Sequence, residues 1–468
     1  VDSTTTKELV APQTDMEKKL HAIWGDALML DAIGIDDGFF ELGGDSIVAI
    51  RVLSAMRAQG LDIPLQSLLQ EQTIRNIASL VTSYEPDGEM LSRLEPFELL
   101  TEARQAFGDE IEDAYPLSRM QSGMLYHSSY EPNGSQYHDI FSFHLKCEFD
   151  QERFKQSVAD LVSAHEVLRT SMIASPEHGM IQRVHKQVVL PLTVESLDHL
   201  SPPEQQQTIE KWVEDEKAKP FDYAQPPLIR FQIFRLNERE LFFAASFHHA
   251  ILDGWSVASM LSSLFGNYID PKQYPLVAND LSYSHYVQLE QQAIESEISK
   301  AFWAEQVAEA PFASLLRWGW SKERTLKPTL SEHETALDPG MVATLQSVSK
   351  QSGVHVKTLL HAAWLRVISL LTNETDVVSG YVINGRPEQE GGDRMLGLFL
   401  NTVPFRQLIK PQRWSDFIKQ VRAQEMAVVQ HLRYPLADIQ ALNSGAALFA
   451  VLFNIVDFPI YQDLAGND

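Results

Sequence analysis

The chain contains a single cysteine, Cys147, among 468 residues. One thiol excludes an internal disulfide and a thiolate metal cluster. Basic side chains are also few: 38 Lys and Arg stand against 63 Asp and Glu, which gives a formal net charge of −25. That charge argues against nucleic acid or an anionic membrane as a partner. The sequence also lacks long apolar runs and an N-terminal signal segment, so we expect a soluble, cytoplasmic protein.

Apolar residues, by contrast, are plentiful. They make up 44% of the chain, an ordinary share for globular proteins, so large buried cores are available. A length of 468 residues exceeds what one hydrophobic core usually organises. The sequence therefore predicts two to four domains.

The first region has the pattern of a small helical bundle. Thr14 and Glu17 form a capping box ahead of apolar residues at helical spacing. A second helix is expected to begin at Ser46, and Pro64 and Thr73 stand where two shorter ones start. The region therefore predicts four helices.

A glycine pair precedes the helix that begins at Ser46. Gly43 and Gly44 supply a turn, because glycine takes positive φ without a steric penalty. A hydroxyl at a helix N-terminus meets unpaired N–H groups and the positive end of the helix dipole, which favours an attached phosphate. The alternative is that Ser46 is only an N-cap, and the local pattern leaves both interpretations open.

Two adjacent histidines follow a strand-like apolar run over residues 241–246. His248 and His249 stand where the strand ends, and Asp253 and Gly254 come just before the next helical pattern. An imidazole in such a place can move protons near neutral pH. The alternative is a hydrogen-bonded core histidine beside a structural aspartate.

Beyond about residue 113 the pattern changes to mixed α/β. Apolar and polar residues alternate over 229–233, and a turn over 237–240 leads into the strand that carries the histidines. A second series predicts a helix over 356–371 and a strand over 377–383. Two similarly built lobes are one interpretation of these two series.

Several short segments occur in a fixed order behind Leu42-Gly43-Gly44-Asp45-Ser46. They are Tyr115-Pro116-Leu117-Ser118-Arg119-Met120-Gln121, His165-Glu166-Val167-Leu168-Arg169-Thr170, His248-His249 through Asp253-Gly254, Tyr283 with Tyr286, residues 396–406, His431 with Tyr434-Pro435-Leu436, and Leu448-Phe449 with Leu452-Phe453. With these segments the chain resembles a peptidyl carrier (thiolation) domain followed by a condensation domain of nonribosomal peptide synthetases.

The resemblance implies the fold and the domain order. We expect an α four-helix carrier bundle, followed by an α/β (α+β) two-lobed condensation domain like chloramphenicol acetyltransferase. The expected bounds are 10–84 for the carrier domain, 85–112 for a linker, 113–275 for the N-terminal lobe and 276–468 for the C-terminal lobe. Family members continue through further strands and a helix after the last motif, so the C-terminal lobe is expected to be truncated at its end.

The resemblance also implies the reaction and its residues. A donor acyl or peptidyl thioester is transferred to the amine of an acceptor aminoacyl thioester, and 4′-phosphopantetheine is attached to Ser46. The expected catalytic residues are His249, His248, Asp253 and Gly254, and no metal is expected. Successive strand residues point to opposite faces, so a single histidine faces the reaction centre. The resemblance gives that place to His249, as base or positioner, and leaves His248 to fix the loop.

Arg386 is expected to clamp Asp253 across the two lobes. The family has an arginine at this position of Asn384-Gly385-Arg386-Pro387, and a guanidinium can bind a carboxylate bidentately. The alternative is a solvated surface arginine. The expected partners are an upstream adenylation domain, downstream adenylation and carrier domains, a phosphopantetheinyl transferase and thioester-bound amino acids or peptides.

Other classes fit the sequence less well. A metal hydrolase is disfavoured because adjacent strand histidines diverge and no third ligand is apparent. A serine hydrolase at Ser46 is disfavoured because Gly-x-Ser-x-Gly is missing. Within the family, His248 disfavours heterocyclisation, and Trp255 with Ser256 favours condensation over epimerisation. A catalytically inactive module, or one that dehydrates or epimerises the donor residue, stays open as the alternative.

Two positions depart from the family pattern. Ala164 stands where an arginine usually precedes the His-Glu pair, so any contact of that arginine is absent or replaced. Asp45 replaces the histidine that is common before the carrier serine, a variant often seen near epimerising modules.

Overall fold

The structure is a computed structural model that describes residues 9–28, 30, 32–44, 46–83, 94–100, 107–130, 136–279, 281–312, 331–389 and 391–456. Contacts within the chain form two compact units. Unit 1 consists of Val1–Met90, Gln292–Asp393 and Asn401–Ile455, and unit 2 of Leu91–Gln291, Arg394–Leu400 and Val456–Asp468. The domain bounds expected from the sequence stay a prediction.

The N-terminal region forms the four helices that its periodicity predicts. They are α1 (Asp15–Leu28), α2 (Ser46–Ala58), α3 (Leu65–Glu71) and α4 (Ile74–Ala78), with the short antiparallel strands β1 (Leu61–Asp62) and β2 (Thr82–Ser83). The capping box is confirmed, because the Glu17 N–H donates to Thr14 Oγ1 at 3.1 Å and the Thr14 N–H donates to a Glu17 carboxylate oxygen at 2.8 Å. Leu20, Trp24 and Phe39 are completely buried in the core of this bundle.

The two glycines before α2 serve different purposes. Gly43 has φ +87°, so the predicted positive-φ turn is confirmed there. The same prediction is wrong for Gly44, whose φ lies outside the left-handed region. Its small size is needed instead, because a Cβ at Gly44 would lie 2.6 Å from the Phe39 ring. The second glycine therefore lets the chain pass close to a buried aromatic ring.

Residues 111–295 form a mixed α/β arrangement. Its elements are β3 (Ile111–Pro116), α5 (Arg119–Tyr130), β4 (His138–Lys146), α6 (Gln151–Ala164), a 3₁₀ turn (Glu166–Arg169), β5 (Thr170–Ser175), β6 (Gly179–His185), β7 (Leu192–Ser196), α7 (Pro202–Lys217), β8 (Ile229–Arg235), β9 (Glu240–His248), α8 (Gly254–Ile269) and α9 (Tyr283–Glu295). One sheet has the order β3-β6-β5 and another the order β4-β9-β8-β7, in which β7 and β8 alone pair in parallel.

Strand β9 lies inside the four-stranded sheet, between β4 and β8. Every residue from Leu241 to His248 is buried, so this strand is a nearly continuous apolar run. Helices α6 and α8 pack against the sheet in one core that contains Phe154, Leu161, Phe243 and Leu264. The histidine motif therefore begins at the end of a strand that the core fixes on both faces.

The rest of unit 1 combines a three-stranded sheet with helices. Its elements are α10 (Glu297–Val307), α11 (Pro339–Ser352), α12 (Val356–Thr372), β10 (Asp376–Asn384), β11 (Leu400–Leu408), α13 (Trp414–Val429), α14 (Leu436–Leu442) and β12 (Leu452–Phe453). The sheet has the order β11-β10-β12. The helix predicted over 356–371 and the strand predicted over 377–383 are confirmed as α12 and β10.

The N-terminal helical bundle contacts this second part of unit 1. Arg422 on α13 donates from Nη2 to the Leu69 carbonyl in the last turn of α3 at 2.5 Å, and its guanidinium carbon lies 4.8 Å from the centroid of the Phe40 ring. On α2, Arg51 Nε lies 3.6 Å from an Asp393 carboxylate oxygen. The contact therefore combines an arginine at a helix C-terminus, which the helix dipole favours, with a cation–π contact and an ion pair.

No single helix among the described residues is long and apolar enough to cross a membrane; α11 and α12, bent by 102° at their junction, pass that test only as a pair and only by length and composition.

Candidate active site

The buried side-chain amide of Gln121 holds the loop that follows β9. Gln121 on α5 donates from Nε2 to the Ala250 carbonyl at 3.0 Å. Its Oε1 accepts the Ser118 N–H and the Gln182 side-chain amide, both at 3.0 Å. The segment Tyr115–Gln121, noted in the sequence as a motif, thus supports the histidine loop from inside the core.

His248 points into the protein and is 1% exposed. Its Nδ1 accepts the Ala250 N–H at 3.1 Å, so the ring proton is on Nε2, 3.3 Å from the Tyr223 hydroxyl. Burial, with smaller effects of His249 and His138, lowers the pKa of His248 to about 4. The ring is therefore neutral at pH 7, which suits it to holding the loop rather than to carrying protons.

His249 points the other way and keeps 27% of its side chain exposed. Its N–H donates to the Tyr137 carbonyl at 2.7 Å, and its Nδ1 lies 2.8 Å from the Leu252 carbonyl oxygen. A carbonyl oxygen can only accept, so the proton of the neutral ring is on Nδ1 and Nε2 is a proton acceptor. The Asp139 carboxylate lies 3.5 Å from Nδ1. These contacts hold the ring in one orientation and one tautomer.

Asp253 is buried and caps α8. Its Oδ1 accepts the Ser256 N–H at 2.8 Å, and its Oδ2 accepts the Phe399 N–H at 3.1 Å. The Asp253 N–H donates to the Gly397 carbonyl at 2.9 Å, and Ser256 Oγ donates to the same carbonyl at 2.7 Å. Asp253 therefore ties the start of α8 to the segment 394–400. Gly254 is the first residue of α8, where the sequence places a helix start.

Arg386 is completely buried, so the alternative of a solvated surface arginine is wrong. Its Nη1 donates to the Gly392 carbonyl at 3.2 Å, and its N–H donates to Asn384 Oδ1 at 2.9 Å. Arg386 belongs to unit 1 and Asp253 to unit 2, and the expected clamp between them stays a prediction.

Ser46 is the first residue of α2, as the glycine pair before it predicts. Its side chain and the whole of Asp45 lie outside the described residues. Among the residues that the structure does describe, no three His, Cys, Asp or Glu side chains converge on a possible metal site.

The sequence did not reveal the polar groups that support β4 and β9. His138 Nε2 lies 2.7 Å from Ser246 Oγ, which donates to Glu216 at 2.7 Å, and Arg230 Nε donates to the same carboxylate at 2.5 Å. These residues are far apart in the chain, and Asp139 likewise meets His249 through strand pairing. A pairing register cannot be read from a single sequence, so no signal pointed to either set.

The models of two protein families match the chain. The Condensation domain model matches residues 111–465, which is more than half of the chain. The chain belongs to the condensation-domain family of nonribosomal peptide synthetases. A phosphopantetheine attachment site matches residues 18–81 ahead of it. The resemblance read from the motifs is confirmed, and with it the class of amide-forming acyltransferases.

Two curated relatives are large synthetases. The AMB antimetabolite synthetase AmbE of Pseudomonas aeruginosa is 32% identical over 98% of this chain and 22% of its own length. Tyrocidine synthase 3 of Brevibacillus parabrevis is 28% identical over 95% of this chain and 7% of its own length. The chain therefore spans less than a quarter of either relative.

Solved structures support the expected fold. The first condensation domain of the calcium-dependent antibiotic synthetase, in complex with a substrate analogue, has a TM-score of 0.60 and 19% identity. That match covers 74% of this chain and 81% of the other. The chloramphenicol-acetyltransferase-like fold behind a helical carrier region is confirmed.

We predict that Asp253 acts mainly on stability. Asp253→Ala leaves the buried N–H groups of Ser256 and Phe399 without this acceptor, at a cost of about 1–3 kcal/mol each. The free energy of unfolding, measured by urea denaturation, should fall by about 2–6 kcal/mol in total. The matched control is Asp338→Ala, because Asp338 caps α11 on an exposed surface by accepting the Met341 N–H at 2.9 Å. That variant should lose only about 1 kcal/mol. If Asp253→Ala unfolds like the wild type while turnover vanishes, Asp253 is catalytic instead.

We predict that protonation of His248 lowers the free energy of unfolding at acid pH. Its folded-state pKa of about 4 lies below the ordinary 6.5, so the unfolded chain binds this proton first. Its contribution is present above about pH 6.5 and is lost as the pH falls towards 4. His248→Asn keeps an acceptor for the Ala250 N–H but does not titrate. Between pH 7 and 4.5 the wild type should therefore lose about 2–3 kcal/mol more unfolding free energy than the variant.

A second histidine provides the comparison for this measurement. Burial also lowers the pKa of His165 to about 4. His165→Asn should reduce the acid loss in the same direction. Equal acid losses in the wild type and in His248→Asn would contradict the assignment of a neutral, buried His248.

Proposed function

We propose that this chain forms a peptide bond in nonribosomal peptide synthesis. The donor acyl or peptidyl group is carried as a thioester on 4′-phosphopantetheine at Ser46, in a carrier domain at 10–84. The condensation domain at 113–468 transfers it to the amine of an acceptor aminoacyl thioester. The observation that carries the proposal is His249, whose Nδ1–H is committed to the Leu252 carbonyl while Nε2 is left to accept a proton.

The reaction has simple atom and charge balance. The acceptor amine attacks the thioester carbonyl, so a C–N bond forms and the C–S bond of the donor breaks. The amine loses one proton, which His249 Nε2 receives and the departing pantetheine thiolate takes up. An α-amino group has a pKa near about 8, so a strong base is not required. Holding the two tethered reactants in line is worth roughly 7–11 kcal/mol and is the larger contribution.

The other residues hold the reaction centre in place. Asp253 and Gly254 fix the start of α8 beside His249, and His248 fixes the loop from the inner side. We propose that Arg386 pairs with Asp253 across the two lobes of the condensation domain. Each carboxylate oxygen can accept more than one hydrogen bond, so the bonds from Ser256 and Phe399 are compatible with such a contact.

Contacts within unit 1 support this carrier as the donor. Arg422, Phe40 and the Arg51–Asp393 pair join the N-terminal bundle to the second part of that unit. The much longer curated relatives support further domains around the pair. We propose an upstream adenylation domain that loads Ser46, downstream adenylation and carrier domains that present the acceptor, and a phosphopantetheinyl transferase that attaches the cofactor. The partly exposed side chain of His249 argues against an inactive module.

We predict that Ser46 is the attachment site. Incubation with a phosphopantetheinyl transferase and coenzyme A should add the mass of one phosphopantetheine to the intact wild-type chain. Ser46→Ala should remove that mass shift and leave the fold intact. Ser54, a second serine on α2, provides the matched control, because Ser54→Ala should still be loaded. A shift that persists in Ser46→Ala would place the cofactor elsewhere.

We predict that the rate of acyl transfer in a loaded protein depends on the His249 side chain. Product is measured from a preloaded donor and a soluble acceptor amine, with the uncatalysed rate subtracted. His249→Ala should slow transfer at least tenfold, and by about 100-fold or more if the ring accepts the proton. His199→Ala, at an exposed position of unit 2, is the control and should transfer at the wild-type rate. Equal rates for His249→Ala and the wild type would leave positioning as the whole mechanism.

A further inference from the structure

A carboxylate that no sequence motif includes lies beside His249. In the antiparallel pair of β4 and β9, Asp139 faces Phe247 and His138 faces His248. The bond from the His249 N–H to the Tyr137 carbonyl continues this register by one residue. Asp139 is therefore the diagonal cross-strand neighbour of His249 on the same face of the sheet, within reach of its ring.

The Asp139 carboxylate has a single described partner. Its Oδ2 lies 3.5 Å from His249 Nδ1, and 40% of the side chain is exposed. Within the part of the chain that the structure describes, this carboxylate has no other ion pair or hydrogen bond. It caps no helix either, because β4 begins at the preceding residue. A role in local folding therefore does not account for a negative charge at this position.

The distance indicates how this charge acts. The Leu252 carbonyl, at 2.8 Å, is the nearer acceptor for the Nδ1–H, so the neutral ring is held by that carbonyl and not by Asp139. When Nε2 gains a proton, the positive charge spreads over both ring nitrogens. A carboxylate at 3.5 Å then attracts the positive ring, in addition to the hydrogen bond to the Leu252 carbonyl.

The other titratable groups around this ring are engaged elsewhere. His248, one residue earlier, faces Tyr223 and the Ala250 N–H. The Asp253 carboxylate accepts the N–H groups of Ser256 and Phe399. Asp139 is therefore the carboxylate whose position allows it to act on His249 Nδ1.

We propose that Asp139 is a positioning residue that stabilises the protonated form of His249 as the amide bond forms. The inference rests on the proposed function and adds a residue to it. The amine proton moves to Nε2 while the C–N bond forms, so the charge that Asp139 stabilises develops in the transition state. Loss of the carboxylate should consequently slow the step after substrate binding.

The experiment compares Asp139→Asn and Asp139→Glu with the wild type in the transfer assay. Asparagine keeps the size and removes the charge, so kcat should fall about fivefold to tenfold, as expected for one charge at this distance under water-like screening. KM for the acceptor amine should stay the same. Glutamate keeps the charge and should restore at least half of the wild-type kcat. Asp198→Asn, at an exposed carboxylate of the same unit, should behave like the wild type.

Stability and loading separate this inference from simpler explanations. Thermal melting and phosphopantetheine loading at Ser46 should be the same in all variants, because Asp139 is half-exposed and far from the carrier in sequence. The proposal is overturned if Asp139→Asn has the wild-type kcat. It is also overturned if Asp139→Glu is as slow as Asp139→Asn, because the shape of the side chain and not its charge would then be the cause. An inactive wild type instead refutes the proposed function itself.

Discussion

The arrangement of the histidine loop depends on the hydrogen bonds that the Asp253 carboxylate accepts. This carboxylate accepts one N–H three residues ahead, from Ser256, and another 146 residues ahead, from Phe399. One buried side chain thereby fixes the start of α8 and joins it to the segment 394–400. Such donors have no access to water, so losing their acceptor is costly. The spacing from His249 to Asp253 in this chain brings the aspartate to both amides at once.

Burial separates two chemically identical side chains. His248 is enclosed and its pKa is lowered to about 4, so it serves as a neutral hydrogen-bonding group. His249, one residue later, faces the opposite side of the sheet and stays partly exposed. The alternation of side chains along a strand is sufficient to give the two histidines different exposure. We therefore propose that His248 is the structural residue of the pair and His249 the reactive one.

Much of the fold follows from local patterns. The helix α12, the strand β10 and the capping box of Thr14 and Glu17 are visible in the sequence because each depends on neighbours within a few residues. The tie from Asp253 to Phe399, the approach of Asp139 to His249 and the contact of Gly44 with a phenylalanine ring are not visible. Each of these depends on strand register or on packing between distant segments, which a single sequence does not encode in any local period. The motifs identified the histidine loop, but they did not reveal the contacts that fix its conformation.

The contact of the N-terminal bundle with α13 joins two parts of one chain. Arg51 with Asp393, and Arg422 with the Leu69 carbonyl and the Phe40 ring, stand beside the Phe40–His355 ring pair and the packing of Met426 against the bundle core. The Arg51–Asp393 pair keeps some access to solvent, so salt screens it in part. The bundle and its partner surface belong to one chain, so their effective concentration stays high even when the contact is open. We propose that the bundle can leave this surface and return to it, because the connecting chain keeps the two parts close together.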